Sequence, residues 1–134
     1  MKNVLVVDDD EDYNFLTQEA FDDCNLACNL MFYTRATTAL EYLSESRYFP
    51  DLILLDINMP VMNGWEFLEE YERLQYHQKH NTLIVVTSSS ILFEDKARIA
   101  QYARVVEYVD KPLESRHIMA LKSKYFLDLA SGEN

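Results

Sequence analysis

The chain has 134 residues, of which 49% are hydrophobic, and this length and composition suit one compact domain with a sizeable core. The formal net charge of -11 disfavours binding to DNA, RNA or an anionic membrane surface, because the field of the protein repels phosphate. No stretch approaches the roughly 20 apolar residues of a membrane span, and acidic residues begin at Asp8, before any signal-peptide core is complete.

Five apolar runs predict β-strands. In chain order they are NVLVV from Asn3, CNLMFY from Cys28, DLILL from Asp51, TLIVV from Thr82 and RVVEYV from Arg104. The first, third and fourth runs are continuously apolar, which is typical of parallel strands that are covered on both faces.

Helical periodicity occurs after each of these runs. The apolar positions that indicate the first three helices are Leu16, Ala20 and Cys24, then Ala36, Leu40 and Leu43, then Phe67, Leu68 and Tyr71. A fourth helix is predicted from about Leu92 to Ala103, with Ala97, Ala100 and Ala103 at helical spacing. A fifth is predicted from Pro112, with Leu121, Tyr125 and Leu129 on one face.

This alternation predicts an α/β fold with a doubly wound parallel sheet and helices on both faces. We expect one domain over residues 1–130 and a short flexible tail over 131–134. The polar stretch from Glu70 reads as a helix end and a solvated loop, which contains His77 and His80. Cys24 and Cys28 are interpreted as packing residues in a reducing cytoplasm.

Polar residues stand at the ends of four predicted strands. The first strand ends in Asp8, Asp9 and Asp10, and the third ends in Asp56. The fourth ends in Thr87 and Ser88, and the fifth is followed by Lys111 and Pro112. Ligands of doubly wound sheets bind beyond the carboxyl ends of the strands, so this edge is the candidate site.

The chemistry of this set favours a magnesium-dependent phosphoryl acceptor. Converging carboxylates repel one another, and a hard divalent cation relieves that repulsion; oxygen ligands without Cys or His favour Mg²⁺. Asp56 is then a carboxylate nucleophile that forms an aspartyl phosphate. Lys111 offsets charge on the phosphoryl group, and Thr87 donates a hydrogen bond to it.

Several residues near these motifs have simpler explanations. Asp10 fits the N-cap of the first helix, and Trp65 fits a packing role. His77, His80 and His117 fit helix surfaces better than metal ligation.

The stretches VLVVDDDED, LILLDINMPVMNGWEFL, VVTSS and EYVDKPL resemble the response regulator receiver domains of two-component signalling. The resemblance runs from Val4 to about Leu129. It implies a flavodoxin-like strand order 2-1-3-4-5 and phosphotransfer to Asp56 from a sensor histidine kinase or a histidine phosphotransfer protein. It further implies output through contact with a downstream protein, and a monomer or a phosphorylation-linked dimer. Such a domain is not an enzyme, although it assists its own phosphorylation and dephosphorylation.

The resemblance also assigns roles to single residues. It makes Asp9 a direct Mg²⁺ ligand, Asp8 a ligand partly through water, and the backbone carbonyl of Asn58 a further ligand beside Asp56. It implies a cis peptide bond between Lys111 and Pro112. It makes Thr87 and Tyr108 a switch pair, in which Thr87 moves towards the phosphoryl group and Tyr108 turns inward. Gly64 stands where a loop leads into the third helix, Ser88 lies beside the site, and Asn58 and Ser89 stand at positions that tune dephosphorylation. The switch surface also includes or adjoins Lys96, Arg98 and Arg104.

Three other functions fit these residues less well. A phosphohydrolase with an aspartate nucleophile needs a second carboxylate two residues later, where this chain has Asn58. A flavin-binding module needs a glycine-rich phosphate loop after the first strand, where DDDED would repel phosphate. A receiver-like module that is never phosphorylated is opposed by the complete set of site residues.

Overall fold

The computed structural model describes residues 2–89 and 92–126, so Leu129 and the predicted tail lie outside the described residues. The described residues form five strands and six helices. The strands are β1 (Lys2–Val7), β2 (Cys28–Tyr33), β3 (Leu52–Asp56), β4 (Leu83–Ser88) and β5 (Val105–Asp110). The helices are α1 (Glu11–Cys24), α2 (Ala36–Glu45), α3 (Gly64–Arg73), α4 (Tyr76–Lys79), α5 (Phe93–Ile99) and α6 (Ser115–Tyr125).

The strands form one parallel sheet in the order β2-β1-β3-β4-β5, which confirms the predicted doubly wound fold. Alternate residues of the central strands point to opposite faces and enter two separate cores. Leu5, Ile53 and Val86 enter the core that α2, α3 and α5 cover. Val4 and Leu54 enter the core that α1 and α6 cover. The site edge therefore rests on strands that are held from both sides.

The predicted core stripe of α1 is wrong at Leu16, whose side chain is 43% exposed. The buried face carries Asn14, Thr17, Ala20 and Phe21 instead. Asn14 is buried because its side-chain amide donates a hydrogen bond of 3.0 Å to the backbone oxygen of Asp8. A buried helix face that is predicted from hydrophobic residues alone does not include such a polar contact.

The last two predicted helices differ from the observed ones at their ends. The helix predicted to reach Ala103 ends at Ile99, because Gln101 and Tyr102 make short three-residue turns that lead into β5. Ala97, Ala100 and Ala103 are all exposed, so they provide no apolar anchor. The helix predicted from Pro112 begins at Ser115, because Leu113 is buried in the core and Glu114 is the extended N-cap.

The stretch from Glu70 is more ordered than the predicted solvated loop. It contains the short helix α4, and the His80 ring stacks on Phe49 with centroids 3.5 Å apart. Arg104 fixes this segment by donating hydrogen bonds to the backbone oxygen of His77 and the side chain of Asn81.

Cys24 and Cys28 are free, partly buried thiols. Among the described residues, no helix is both long and apolar enough to cross a membrane.

Candidate phosphoryl-acceptor site

Side chains from four strands meet at the carboxyl edge of the sheet. Asp8 follows β1, Asp56 is the last residue of β3, and Lys111 follows β5. Thr87 of β4 lies beside Asp56 in the register of the two strands. Asp8, Asp56 and Thr87 are buried, so their polar groups face one another instead of bulk water. The structure thus brings these four sequence-predicted residues into one site.

Lys111 joins the two buried aspartates. Its Nζ lies 2.7 Å from Asp8 Oδ2 and 3.3 Å from Asp56 Oδ2, and its side chain is only 8% exposed. Burial alone would lower the pKa of Lys111, but the hydrogen bond to Asp8 and the charges of both aspartates outweigh it and raise that pKa. Lys111 is therefore a cation throughout the neutral range. The Lys111–Pro112 peptide bond is cis, as the sequence resemblance predicts.

Three carboxylates form a cluster suited to a divalent cation. One oxygen from each of Asp8, Asp9 and Asp56 lies within 4.8 Å of the other two. Asp9 is exposed, whereas the other two are buried, so the cluster opens to solvent on one side. The donors are oxygens only, and one buried ammonium stands against three carboxylates. These residues fit Mg²⁺, which prefers oxygen ligands and keeps several of its waters.

Asp56 has a raised affinity for a proton. Burial and then the charge of Asp8 raise the pKa of Asp56 from 3.8 to about 6, although the Asn58 backbone N–H and Lys111 act in the opposite direction. The Asn58 N–H donates to Asp56 Oδ1 at 3.1 Å. Without added positive charge, the ionised Asp56 is therefore a destabilised group in the folded protein.

This proton affinity predicts a pH-dependent gain of stability in Asp56→Asn. The folded state holds the proton of Asp56 more tightly than the unfolded state, so stability present near pH 4 is lost as pH rises through about 6. The free energy of unfolding of metal-free Asp56→Asn should therefore exceed that of metal-free wild type by on the order of 2–3 kcal/mol at pH 7.5. This difference should shrink towards zero near pH 4. Urea denaturation of both proteins in chelator at the two pH values measures it.

The control for this comparison is Asp10→Asn, which retains a side-chain oxygen suited to an N-cap and should leave stability nearly unchanged. A pH-independent difference, or a less stable Asp56→Asn protein, would contradict the assigned strain at Asp56.

Asp10 is the N-cap of α1, as the sequence predicts. Its Oδ1 accepts hydrogen bonds from the backbone N–H groups of Asp12 and Tyr13, at 3.0 and 3.2 Å. The backbone N–H of Asp10 itself donates to Asp8 Oδ1 at 2.9 Å. The third aspartate of the run thus connects the buried site to the start of α1.

The predicted tuning position Asn58 contacts Ser88. The Asn58 side-chain amide donates to Ser88 Oγ at 2.9 Å, and Ser88 is fully buried at the end of β4. Ser89, the other predicted tuning position, is exposed. Gly64 lies at the start of α3 and packs directly against the backbone of Asp56 and Ile57.

The residues of the predicted switch surface occupy different positions on α5 and β5. Tyr108 is 40% exposed, and the Lys96 ammonium lies 5.3 Å from the centroid of its ring. The Arg98 guanidinium lies 4.4 Å from the Trp65 ring centroid, which links α5 to α3. Trp65 is partly buried and packs as predicted, whereas Arg104 lies at the opposite end of β5.

Tyr13 is a site contact that the strand-end pattern does not reveal. Its ring centroid lies 4.4 Å from Lys111 Nζ. Tyr13 lies in the first turn of a helix, and not at a strand end as the other site residues do. The sequence signal for it is an aromatic residue directly after the acidic run Asp8–Asp12.

The histidines lie outside this site. His117 Nδ1 accepts a hydrogen bond from the backbone N–H of Glu114 and so caps α6. Within the described parts of the chain, neither His77 nor His80 belongs to a group of three residues that could hold a metal ion.

The comparisons with known proteins identify the family. The family model described as "Response regulator receiver domain" matches residues 4–122. A two-component response regulator from Cytophaga hutchinsonii is 29% identical, with a TM-score of 0.84, and the alignment covers 94% of this chain and 96% of that one. The chain belongs to the response regulator receiver domain family. It is thus a signalling module of the two-component type.

Other relatives differ in how much of their length this chain matches. An uncharacterised 14.6 kDa protein of Leptolyngbya boryana is 29% identical, over 93% of this chain and 90% of its own length. The sensor histidine kinase CheAY of Helicobacter pylori is 27% identical over 86% of this chain, but this chain spans only 14% of that kinase. The match to CheAY therefore concerns one part of a much longer protein.

Proposed function

We propose that this chain is a single-domain response regulator that accepts a phosphoryl group on Asp56 in an Mg²⁺-dependent reaction and thereby switches a protein-binding surface. The observation that carries the proposal is the buried Asp56 carboxylate, paired with Lys111 and clustered with Asp8 and Asp9 at the sheet edge. Two relatives align with this chain over 90% or more of their own length, and we propose one receiver domain over residues 1–130.

The proposed reaction is a direct transfer to the carboxylate. A carboxylate oxygen of Asp56 attacks phosphorus and forms a new O–P bond, while the bond from phosphorus to the donor breaks. With acetyl phosphate as the donor, acetate leaves with the electron pair of that bond. With a phosphohistidine donor, the imidazole nitrogen leaves with the pair and takes up a proton.

Positive charge and hydrogen-bond donors assist this transfer. Lys111 Nζ contacts Asp56 Oδ2, and in the proposed reaction it donates to an oxygen of the incoming phosphoryl group. The Thr87 hydroxyl, beside Asp56 in the sheet, is the second proposed donor. Asp8, Asp9, Asp56 and the backbone carbonyl of Asn58 would hold Mg²⁺, which when bound neutralises charge on the carboxylates and on the phosphoryl oxygens.

The proposed output is a change at Thr87 and Tyr108. When Thr87 turns towards the phosphoryl group, it vacates space that the Tyr108 ring enters from its exposed position. The surface of α5, β5 and α6 then changes shape, which alters affinity for a downstream protein. We propose that the donor is a cytoplasmic sensor histidine kinase or histidine phosphotransfer protein, and that the regulator is a monomer or a phosphorylation-linked dimer.

Intact mass spectrometry after incubation with acetyl phosphate and Mg²⁺ tests this proposal. We expect one added phosphoryl group on the wild-type chain. The same incubation with a chelator, or with Asp56→Asn, should add none. Equal labelling of Asp56→Asn would refute the assignment of the acceptor. A folded wild-type chain that stays unlabelled with acetyl phosphate and with a panel of histidine kinases would favour a binding module that is never phosphorylated.

A further inference from the structure

A closed set of contacts surrounds the Lys111 ammonium and includes two residues that the proposed reaction does not use. Asp8 Oδ2 lies 2.7 Å from Lys111 Nζ, and Asp8 Oδ1 accepts the backbone N–H of Asp10. Asp10 Oδ1 accepts the backbone N–H of Tyr13, and the Tyr13 ring lies 4.4 Å from Lys111 Nζ. This chain of contacts therefore begins and ends at the Lys111 ammonium.

From this geometry we infer that Tyr13 is a positioning residue for Lys111, held in place by the Asp10 cap of α1. The inference rests on the proposed phosphoryl transfer to Asp56 and names a further residue that serves it. It also gives the third aspartate of the acidic run a role, because the cap fixes the backbone from which the Tyr13 ring projects.

An aromatic ring suits this task better than a hydrogen-bond acceptor. The ring face attracts a cation through its quadrupole and takes up no directed N–H bond. Lys111 therefore keeps its three N–H groups for oxygen acceptors while the ring limits where the ammonium lies. A third carboxylate in the place of the ring would instead compete with the phosphoryl oxygens for the same donors.

Two carboxylates and one aromatic ring contact the ammonium. Asp8 and Asp56 attract it through their oxygens, and the Tyr13 ring is a further contact that bears no formal charge. The Lys111 side chain is only 8% exposed, so these contacts lie in a largely desolvated environment. Tyr13, Thr87 and Lys111 line one small cavity together with Asp8, so the ring, the threonine and the ammonium lie in the same pocket.

The test compares two substitutions of one residue. Tyr13→Phe keeps the ring and should behave like wild type, whereas Tyr13→Leu removes the ring and should slow Asp56 labelling by acetyl phosphate and Mg²⁺ about tenfold. Tyr13→Met is a second ring-free variant for the case in which the leucine variant does not fold. Circular dichroism establishes that each variant compared is folded.

A second readout needs neither metal nor phosphodonor. In metal-free protein, NMR of ¹³C-labelled lysine should show the Lys111 ε-methylene protons shifted upfield by the Tyr13 ring in wild type and Tyr13→Phe. The shift should disappear in the ring-free variants. Lys96, which lies over Tyr108, should keep its own ring shift in every variant and so report an intact fold elsewhere.

The outcomes separate this inference from the proposed function. The inference is supported if the ring-free variants label slowly and lose the Lys111 shift, while Tyr13→Phe keeps the wild-type labelling rate and the shift. Ring-free variants that label at the wild-type rate overturn the role of Tyr13 and leave Asp56 as the acceptor. Equal slowing in Tyr13→Phe also overturns it, because the phenol oxygen would then be the active group. A wild-type chain that does not label overturns both proposals.

Discussion

Replacing Lys111 with methionine should destabilise the metal-free protein by about 3 kcal/mol at pH 7.5, because two buried aspartates lose a cation that contacts both. Methionine keeps most of the apolar stem, so the loss reports the charge more than the packing. Added Mg²⁺ should restore more stability to this variant than to wild type, since an ion at the carboxylate cluster replaces the missing positive charge. Urea denaturation with chelator and with Mg²⁺ measures both effects.

The matched control is Lys96→Met, which removes an exposed lysine from the same small protein. Lys96→Met should lower the free energy of unfolding by less than about 1 kcal/mol and should respond to Mg²⁺ as wild type does.

Asp56 in Lys111→Met should also be labelled by acetyl phosphate about 100-fold more slowly, since this variant lacks a donor to the phosphoryl group. If both methionine variants were equally stable, the ion pairs at the site would not have the proposed importance.

Gly64→Ala should cost about 3 kcal/mol or more, although alanine is the better helix former. A Cβ atom at this position would lie 2.5 Å from the Ile57 Cα and 2.8 Å from the Asp56 backbone oxygen. Both atoms are backbone, so no side-chain rotation relieves the clash. The loop that carries Asp56 has to move, and we expect labelling of Asp56 to slow together with the loss of stability.

Asn63→Ala provides the comparison for Gly64→Ala. It removes the side-chain cap of the same helix, whose oxygen accepts the Glu66 N–H at 2.9 Å. This loss should cost about 1 kcal/mol and leave labelling nearly unchanged. Similar losses in the two variants would mean that Gly64 matters only for the start of α3, and not for the position of Asp56.

The strand-end residues could be predicted from sequence because a parallel sheet delivers the carboxyl ends of its strands to one edge. Asp56 and Thr87 become neighbours as soon as β3 and β4 pair in register. The apolar runs identify the strands, and the polar residue that ends each run identifies the site. The pairing of Lys111 with both aspartates follows from the same convergence, because opposite charges buried together attract.

The remaining contacts depend on the rotation of helices and on side-chain packing, which sequence periodicity determines poorly. Asn14 faces inward and Leu16 outward because Asn14 meets a backbone acceptor, so the apolar stripe of α1 is misleading. The ring of Tyr13 lies near Lys111 in the first turn of the same helix, whose start Asp10 caps. The end of α5 at Ile99 likewise follows from the turn into β5, and the alanine spacing contains no sign of it.

The most direct test of the central claim is to locate the phosphoryl group. The protein is incubated with Mg²⁺ and acetyl phosphate and treated with borohydride, which reduces an aspartyl phosphate to homoserine. Peptide mass mapping then identifies the converted residue. We expect homoserine at residue 56, and none when a chelator replaces Mg²⁺. Conversion at another aspartate, or none in folded protein that shows one added phosphoryl group by intact mass, would contradict phosphorylation of Asp56.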